Sequence, residues 1–225
     1  MEINSKLNMR IVKKIQSHGA NSSLYIVEDT QLNEIFMLKQ IDKNKIKESS
    51  KYFDEVRNVK DMENKNIVKV NYATYDDDNI YISMPYYKNG SLQDILQERN
   101  LTVREIVKYS LEILSGLYYI HKKNILHCDI KPSNILIDDY GCAVLADFGS
   151  AININHSGIG KLKNVYYKHI APEQCYSSRV DVRVDIYQFG NTLYRMCNGE
   201  EEYNKQVKKS KNMTELKNAI VNGSF

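Results

Sequence analysis

The sequence predicts an α+β protein in which a small strand-rich region precedes a larger, mainly helical one. Three observations lead there. Up to about residue 88, apolar runs alternate with polar turns in strand fashion. From Asn89 onwards the apolar residues recur at helical spacing, and no internal repeat or low-complexity linker separates the two patterns.

In order, the expected strands are IVKKI, SSLYIV, EIFMLKQI, IVKVNYATY and NIYISMPYY. One helix interrupts them. Ser49 and Ser50 are its candidate N-caps, and Phe53, Val56, Val59 and Met62 fall on one face at three-residue steps. Beyond NGS (Asn89–Ser91), Thr102 and Glu105 form a capping box, followed by Ile106, Tyr109, Ile113, Leu117 and Ile120 at helical spacing. The division predicted is therefore residues 1–87 and 88–225, with the hinge near Tyr87 to Asn89.

At 225 residues, with 42% hydrophobic and 26% charged, the chain can bury real cores and has no bias towards disorder. No apolar run reaches the length of a membrane span, and MEINSKLNMR lacks a signal-peptide apolar region, so a cytoplasmic site of action is expected, another cell's cytosol included, with no membrane partner. A net charge of +3 does not call for nucleic acid, and the basic run at Lys205 to Lys211 reads as a solvated loop. Cys128, Cys142, Cys175 and Cys197 show no CxxC pairing, which predicts reduced thiols.

Phosphoryl transfer needs metal ligands, a cation on the phosphates and a group that orients the attacking hydroxyl. The segments FMLK (Phe36–Lys39), Glu55, HCDIKPSN (His127–Asn134), DFG (Asp147–Gly149), APE (Ala171–Glu173) and DIYQFG (Asp185–Gly190) supply such groups in a consistent order. Through these residues the sequence resembles the eukaryotic-type protein kinase family, serine/threonine kinases in particular, over roughly residues 10 to 225.

The resemblance implies a bilobal kinase fold using ATP and Mg2+, with a small antiparallel β lobe (1–87) and a larger helical lobe (88–225) lacking the last helices. It implies that Lys39 holds the α- and β-phosphates with Glu55 as its ion-pair partner, that Asp129 orients the substrate hydroxyl, and that Lys131 neutralises the transferring group. By the same resemblance Asn134 and Asp147 hold magnesium, a hard cation that prefers oxygen. Met84 would gate the adenine pocket. Pro85 would offer its carbonyl and Tyr87 its N–H, so the donor that proline lacks is not missed.

The pattern is broken in four places. The phosphate loop, SHGANSSLY, keeps Gly19 alone of the family's glycines, with Ser17, Ser22 and Leu24 at the other positions. Met37 stands two before the lysine, where a small residue is usual, and should crowd the adenine roof. Cys128 replaces the arginine that gathers a phosphorylated loop through charge-assisted bonds, which implies activity without loop phosphorylation. Lys131 points to serine or threonine substrates, whereas Tyr166 blurs that assignment.

Finally, no sequence remains for two further helices. Their absence would remove the arginine that pairs with Glu173, with Arg179, Arg183 and Arg195 as substitutes. It would also uncover apolar surface worth roughly 1.5 to 3 kcal/mol per large side chain, to be met by compensating packing or by a protein partner. Two rival classes stand beside a kinase acting on protein substrates: a pseudokinase-like binding module, suggested by the degraded phosphate loop, and a small-molecule phosphotransferase, which shares the HxDxxxxN core.

Overall fold

A computed structural model describes residues 8–15, 22–46, 53–162, 170–208 and 213–223. The chain divides into two compact units, Met1–Met62 with Val68–Tyr87, and Glu63–Ile67 with Lys88–Phe225.

The first unit is a five-stranded antiparallel sheet in the order β1-β2-β3-β5-β4. Its strands are β1 (Met9–Ile15), β2 (Ser22–Asp29), β3 (Glu34–Asp42), β4 (Tyr72–Tyr75) and β5 (Asn79–Pro85). Tight polar turns set the register: Asp29 Oδ1 accepts from the N–H groups of Gln31 and Leu32, and Asp76 Oδ1 from those of Asp78 and Asn79. Val27, Ile80 and Ile82 are buried.

The interrupting helix α1 covers only Asp54–Val59, with Phe53 as its N-cap. It is shorter than the apolar spacing suggested: Phe53 precedes the first turn, and Met62 follows the close of the helix at Lys60, whose N–H donates to Val56 O. Ser49 and Ser50 lie outside the described residues. The stretch IVKVN before β4 is likewise not strand. Asn66 and Ile67 belong instead to the second unit, where Leu145 N donates to Asn66 O and Asn66 Nδ2 to Ala143 O.

In the second unit Ser91 and Asp94 make a capping box for α2 (Leu92–Glu98), and Thr102 and Glu105 make the expected one for α3 (Val103–Lys122). Tyr109, Ile113, Leu117 and Ile120 form the buried face of α3. Gly116 interrupts that face because a Cβ there would stand 2.9 Å from Asn66 O and 2.8 Å from Leu145 Cδ1. The short strands β6 (Ile125–Leu126) and β9 (Ile152–Asn153) pair, as do β7 (Ile135–Ile137) and β8 (Ala143–Leu145), and β10 (Gly160–Lys161) and β11 (Arg179–Val180).

Three helices complete the unit: α4 (Arg183–Asn198), α5 (Glu200–Lys208) and α6 (Met213–Val221). Helix α5 corrects the solvated-loop reading of the basic run for Lys205–Lys208. Lys205 bridges back to Glu201 and Glu202 one turn earlier. The buried Arg195 fixes the first turn by ion-pairing with Glu200 Oε2 at 2.6 Å, and its guanidinium lies over the Tyr203 ring. Burial pushes the Tyr203 hydroxyl up to about 12.

Candidate active site

In the first unit, antiparallel pairing places Leu24, Lys39 and Ile82 in one cross-strand row and Ile26, Met37 and Met84 in the next. Residues two apart share a sheet face, so Leu24, Met37, Lys39 and Met84 share one. Lys39 is buried in mid-strand. Pro85 ends β5 opposite Phe36, and Tyr87 is the last residue of the unit. Glu55 lies in the first turn of α1. Ser17 and Gly19 lie outside the described residues.

In the second unit the HCDIKPSN segment runs from β6 into β7, and its groups converge on one carboxylate. Lys131 Nζ donates to Asp129 Oδ2 at 2.7 Å, and Asn134 Nδ2 donates to Asp129 O and Oδ2, both at 2.9 Å. Asp129 is buried, so these bonds act with little screening. Lys131 takes extended backbone, and Pro132 then opens the tight turn Pro132–Asn134, its fixed φ suiting the first position.

His127 is fully buried. The Asp129 N–H donates to its Nδ1 at 3.3 Å, which leaves Nε2 as the protonated nitrogen, donating to Ala146 O at 3.0 Å. Ala146 N in turn donates to Asn134 O at 2.9 Å, tying the segment to the start of DFG. Asp147 sits in the left-handed region at φ 62°, and the following Phe148 packs its ring 4.6 Å from that of His127, centroid to centroid. Such a backbone is costly for a non-glycine residue and persists only where its surroundings enforce it.

Cys128 is also left-handed, at φ 63°. Its side chain is buried with Leu126, Leu162, Ala171, Val180 and Val184. Burial, with the Asp185 and Asp129 carboxylates nearby, pushes the thiol far above its ordinary range. A protonated, enclosed sulfur is no nucleophile.

Two residues of α4 fix this turn. Asp185, fully buried, accepts His127 N–H on Oδ2 at 2.9 Å and Cys128 N–H on Oδ1 at 2.7 Å, and His121 Nε2 donates to Oδ2 at 2.8 Å. Gln188, one turn along, accepts Ile130 N–H at 2.9 Å and donates to Cys128 O at 3.1 Å. The sequence singled out Asp185 and Gln188 only as members of the DIYQFG motif, with no role for the glutamine, and missed His121. The signal for Gln188 was its i, i+3 spacing from Asp185 on one helix face.

Among the described residues, none of the three candidate arginines bonds to Glu173. Arg183 pairs with Asp181 at 2.7 Å, Arg195 pairs with Glu200, and no bond joins the Arg179 side chain to Glu173, whose Oε1 is buried with no hydrogen-bond partner among the described residues. The activation-loop residues Tyr166 and Tyr167 lie outside the described residues. Among the described residues no helix is long and apolar enough to cross a membrane.

A small antiparallel sheet with one helix, joined to a helical unit whose HxDxKxxN turn leads into DFG, is the make-up of a protein kinase. The chain belongs to that family: the protein kinase domain model matches residues 11–223. Among curated proteins it is 30% identical over 199 residues to the serine/threonine-protein kinase CLA4 of Candida albicans, covering 86% of this chain and 20% of that protein. It is 31% identical over 211 residues to a probable serine/threonine-protein kinase of Clostridium acetobutylicum, covering 90% of this chain and 32% of the relative. With the 3-phosphoinositide-dependent protein kinase B of Dictyostelium discoideum it shares 34% identity over 192 residues, 81% of this chain and 21% of that protein. The chain thus spans between about a fifth and a third of the length of these relatives.

Proposed function

We propose that the chain transfers the γ-phosphate of ATP, with Mg2+, to a serine or threonine hydroxyl of a protein substrate. The observation that carries this reading is the Asp129 carboxylate, gripped by Lys131 and Asn134 within 2.9 Å. A carboxylate so oriented accepts a hydrogen bond from an incoming hydroxyl and directs its lone pair. Lys131, beside it, offsets charge developing on the transferring group.

The donor set suits magnesium. Asn134 uses its amide nitrogen on Asp129, so its side-chain oxygen would be the ligand atom, and Asp147 would add a carboxylate. Among the described residues no cluster of three or more His, Cys, Asp or Glu could cage a metal alone. Magnesium commonly takes one or two protein oxygens and completes its shell with phosphate and water, and once bound it neutralises the phosphates. In the first unit Lys39 is assigned to the α- and β-phosphates with Glu55 as its partner. Leu24, Met84, Pro85 and Tyr87 are assigned to the nucleotide, with Ser17 and Gly19 in its phosphate loop.

Control by loop phosphate is not part of this reading. In place of a cation, Cys128 puts a thiol into an apolar cluster that also takes in Leu162 and Ala171. Packing around Cys128 then takes the place of a phosphate–arginine pair. The reading is tested by offering ATP and magnesium with a generic basic protein and, separately, with aminoglycosides and choline, then identifying the phosphorylated group. Phosphoserine or phosphothreonine supports it; transfer to the small alcohols alone refutes it.

A further inference from the structure

Besides its buried face, helix α3 carries a row of exposed apolar residues. Val103, Val107, Leu111, Leu114 and Tyr118 are between 36% and 77% exposed. The other exposed positions of the helix are Arg104, Ser115 and Lys122, so five of eight are apolar, two are cationic and none is acidic. The acidic residues of the helix are occupied elsewhere: Glu105 with Arg99 and Thr102, and Glu112 with Ala143 N–H.

The spacing is informative. Val107, Leu111, Leu114 and Tyr118 follow one another at four, three and four residues, the 3.5-residue repeat that one helix presents to another as a seam of knobs. From Val103 to Tyr118 the seam runs about 22 Å, roughly four turns. It is one side chain wide, which fits a helix better than the flat surface of a bilayer. Single exposed apolar residues are ordinary, whereas a contiguous row is the mark of an interaction surface.

Charge selects among partners. Ser115 and Lys122 line one edge of the seam and Arg104 stands at its N-terminal end, while Lys108, on the same edge, is half-buried and donates to Gly141 O. A second copy is disfavoured in either direction. Antiparallel pairing centred between Leu111 and Leu114 would bring Arg104 close to Lys122 of the other copy, and parallel pairing would set each cation against itself.

We propose that the outward seam of α3 docks an amphipathic helix of a partner protein, apolar along its own seam and carrying Asp or Glu beside it. The proposal does not depend on the catalytic reading. The test uses a displayed library of three-heptad helical peptides, randomised at the seam and flanking positions and selected against the intact chain. Recovered peptides should be apolar at the seam and acidic beside it. They should lose at least about ten-fold in affinity for L111Q/L114Q, a change at exposed positions that leaves circular dichroism and thermal unfolding unaltered. In R104E/K122E the preference should invert towards basic peptides. Recovery of peptides that bind L111Q/L114Q equally well, or no enrichment above that variant, overturns the proposal. So does a wild-type dimer that L111Q/L114Q dissociates in sedimentation, and so does L111Q/L114Q-sensitive binding to phosphatidylserine vesicles with no peptide selected.

Discussion

The Cys128 N–H donates to Asp185 Oδ1 at 2.7 Å while the Cys128 backbone holds φ 63°. One fully buried carboxylate on α4 thus fixes the turn that delivers Asp129, and Gln188 bonds the residue on either side of that aspartate. Asp185→Asn would set an amide nitrogen against a backbone N–H and leave a buried donor unpaired, at a cost of about 1 to 3 kcal/mol. Gln188→Ala would strand Ile130 N–H in the same way. Denaturant midpoints should fall for both variants, and turnover should drop by on the order of 100-fold if the turn shifts by about 1 Å. Unaltered stability and turnover in Asp185→Asn would contradict this role.

Those two residues also mark how far the sequence could be read. Asp129, Lys131 and Asn134 come from one octet that the family resemblance singles out, and Thr102 with Glu105 from one four-residue motif that spacing alone marks. His121 bonds to Asp185 across 64 residues and Gln188 to Ile130 across 58, and although the i, i+3 spacing puts Asp185 and Gln188 on one helix face, it does not say what that face meets. Helix α1 fell short of expectation because apolar spacing records a buried face without fixing where hydrogen bonding begins. Helix α5 was missed because its charges read as solvated, and what anchors it is the buried Arg195 on the preceding helix.

The α3 cap gives a pH prediction. The Arg99 guanidinium, together with Thr102 N–H and hydroxyl, holds the Glu105 carboxyl at about 2, below its ordinary 4.5. A depressed folded-state value contributes stability that is present above pH 4.5 and is lost as pH falls towards 2. Glu105→Gln should therefore be less stable than wild type at neutral pH, by about 1 kcal/mol for the weakened cap, and the gap should close through that acid window. A gap that stays constant with pH would remove the carboxylate from the explanation.

Thiol reactivity should separate the cysteines. Cys197 is exposed, whereas Cys128 is buried and its thiol stays protonated at neutral pH. Brief alkylation of the native protein, read by peptide mass, should label Cys197 and spare Cys128 until denaturant is added. Native labelling of Cys128 at a rate matching Cys197 would show that the apolar cluster is open.

If packing at Cys128 replaces phosphate control, a variant carrying Ser150→Ala, Ser157→Ala, Tyr166→Phe and Tyr167→Phe should keep its phosphotransfer rate, because no phosphate–arginine pair is lost. Loss of activity in that variant, with folding intact by circular dichroism, would restore loop phosphorylation to the mechanism.

The central claim is tested most directly by transfer of labelled phosphate from ATP and magnesium to the protein itself and to a generic basic protein, comparing wild type with Asp129→Ala and Asp147→Ala. The account predicts transfer by wild type and its loss in both variants. Pure, folded wild type that transfers nothing, with or without lysate as a source of activator, would contradict it and make the chain a binding module on a kinase fold.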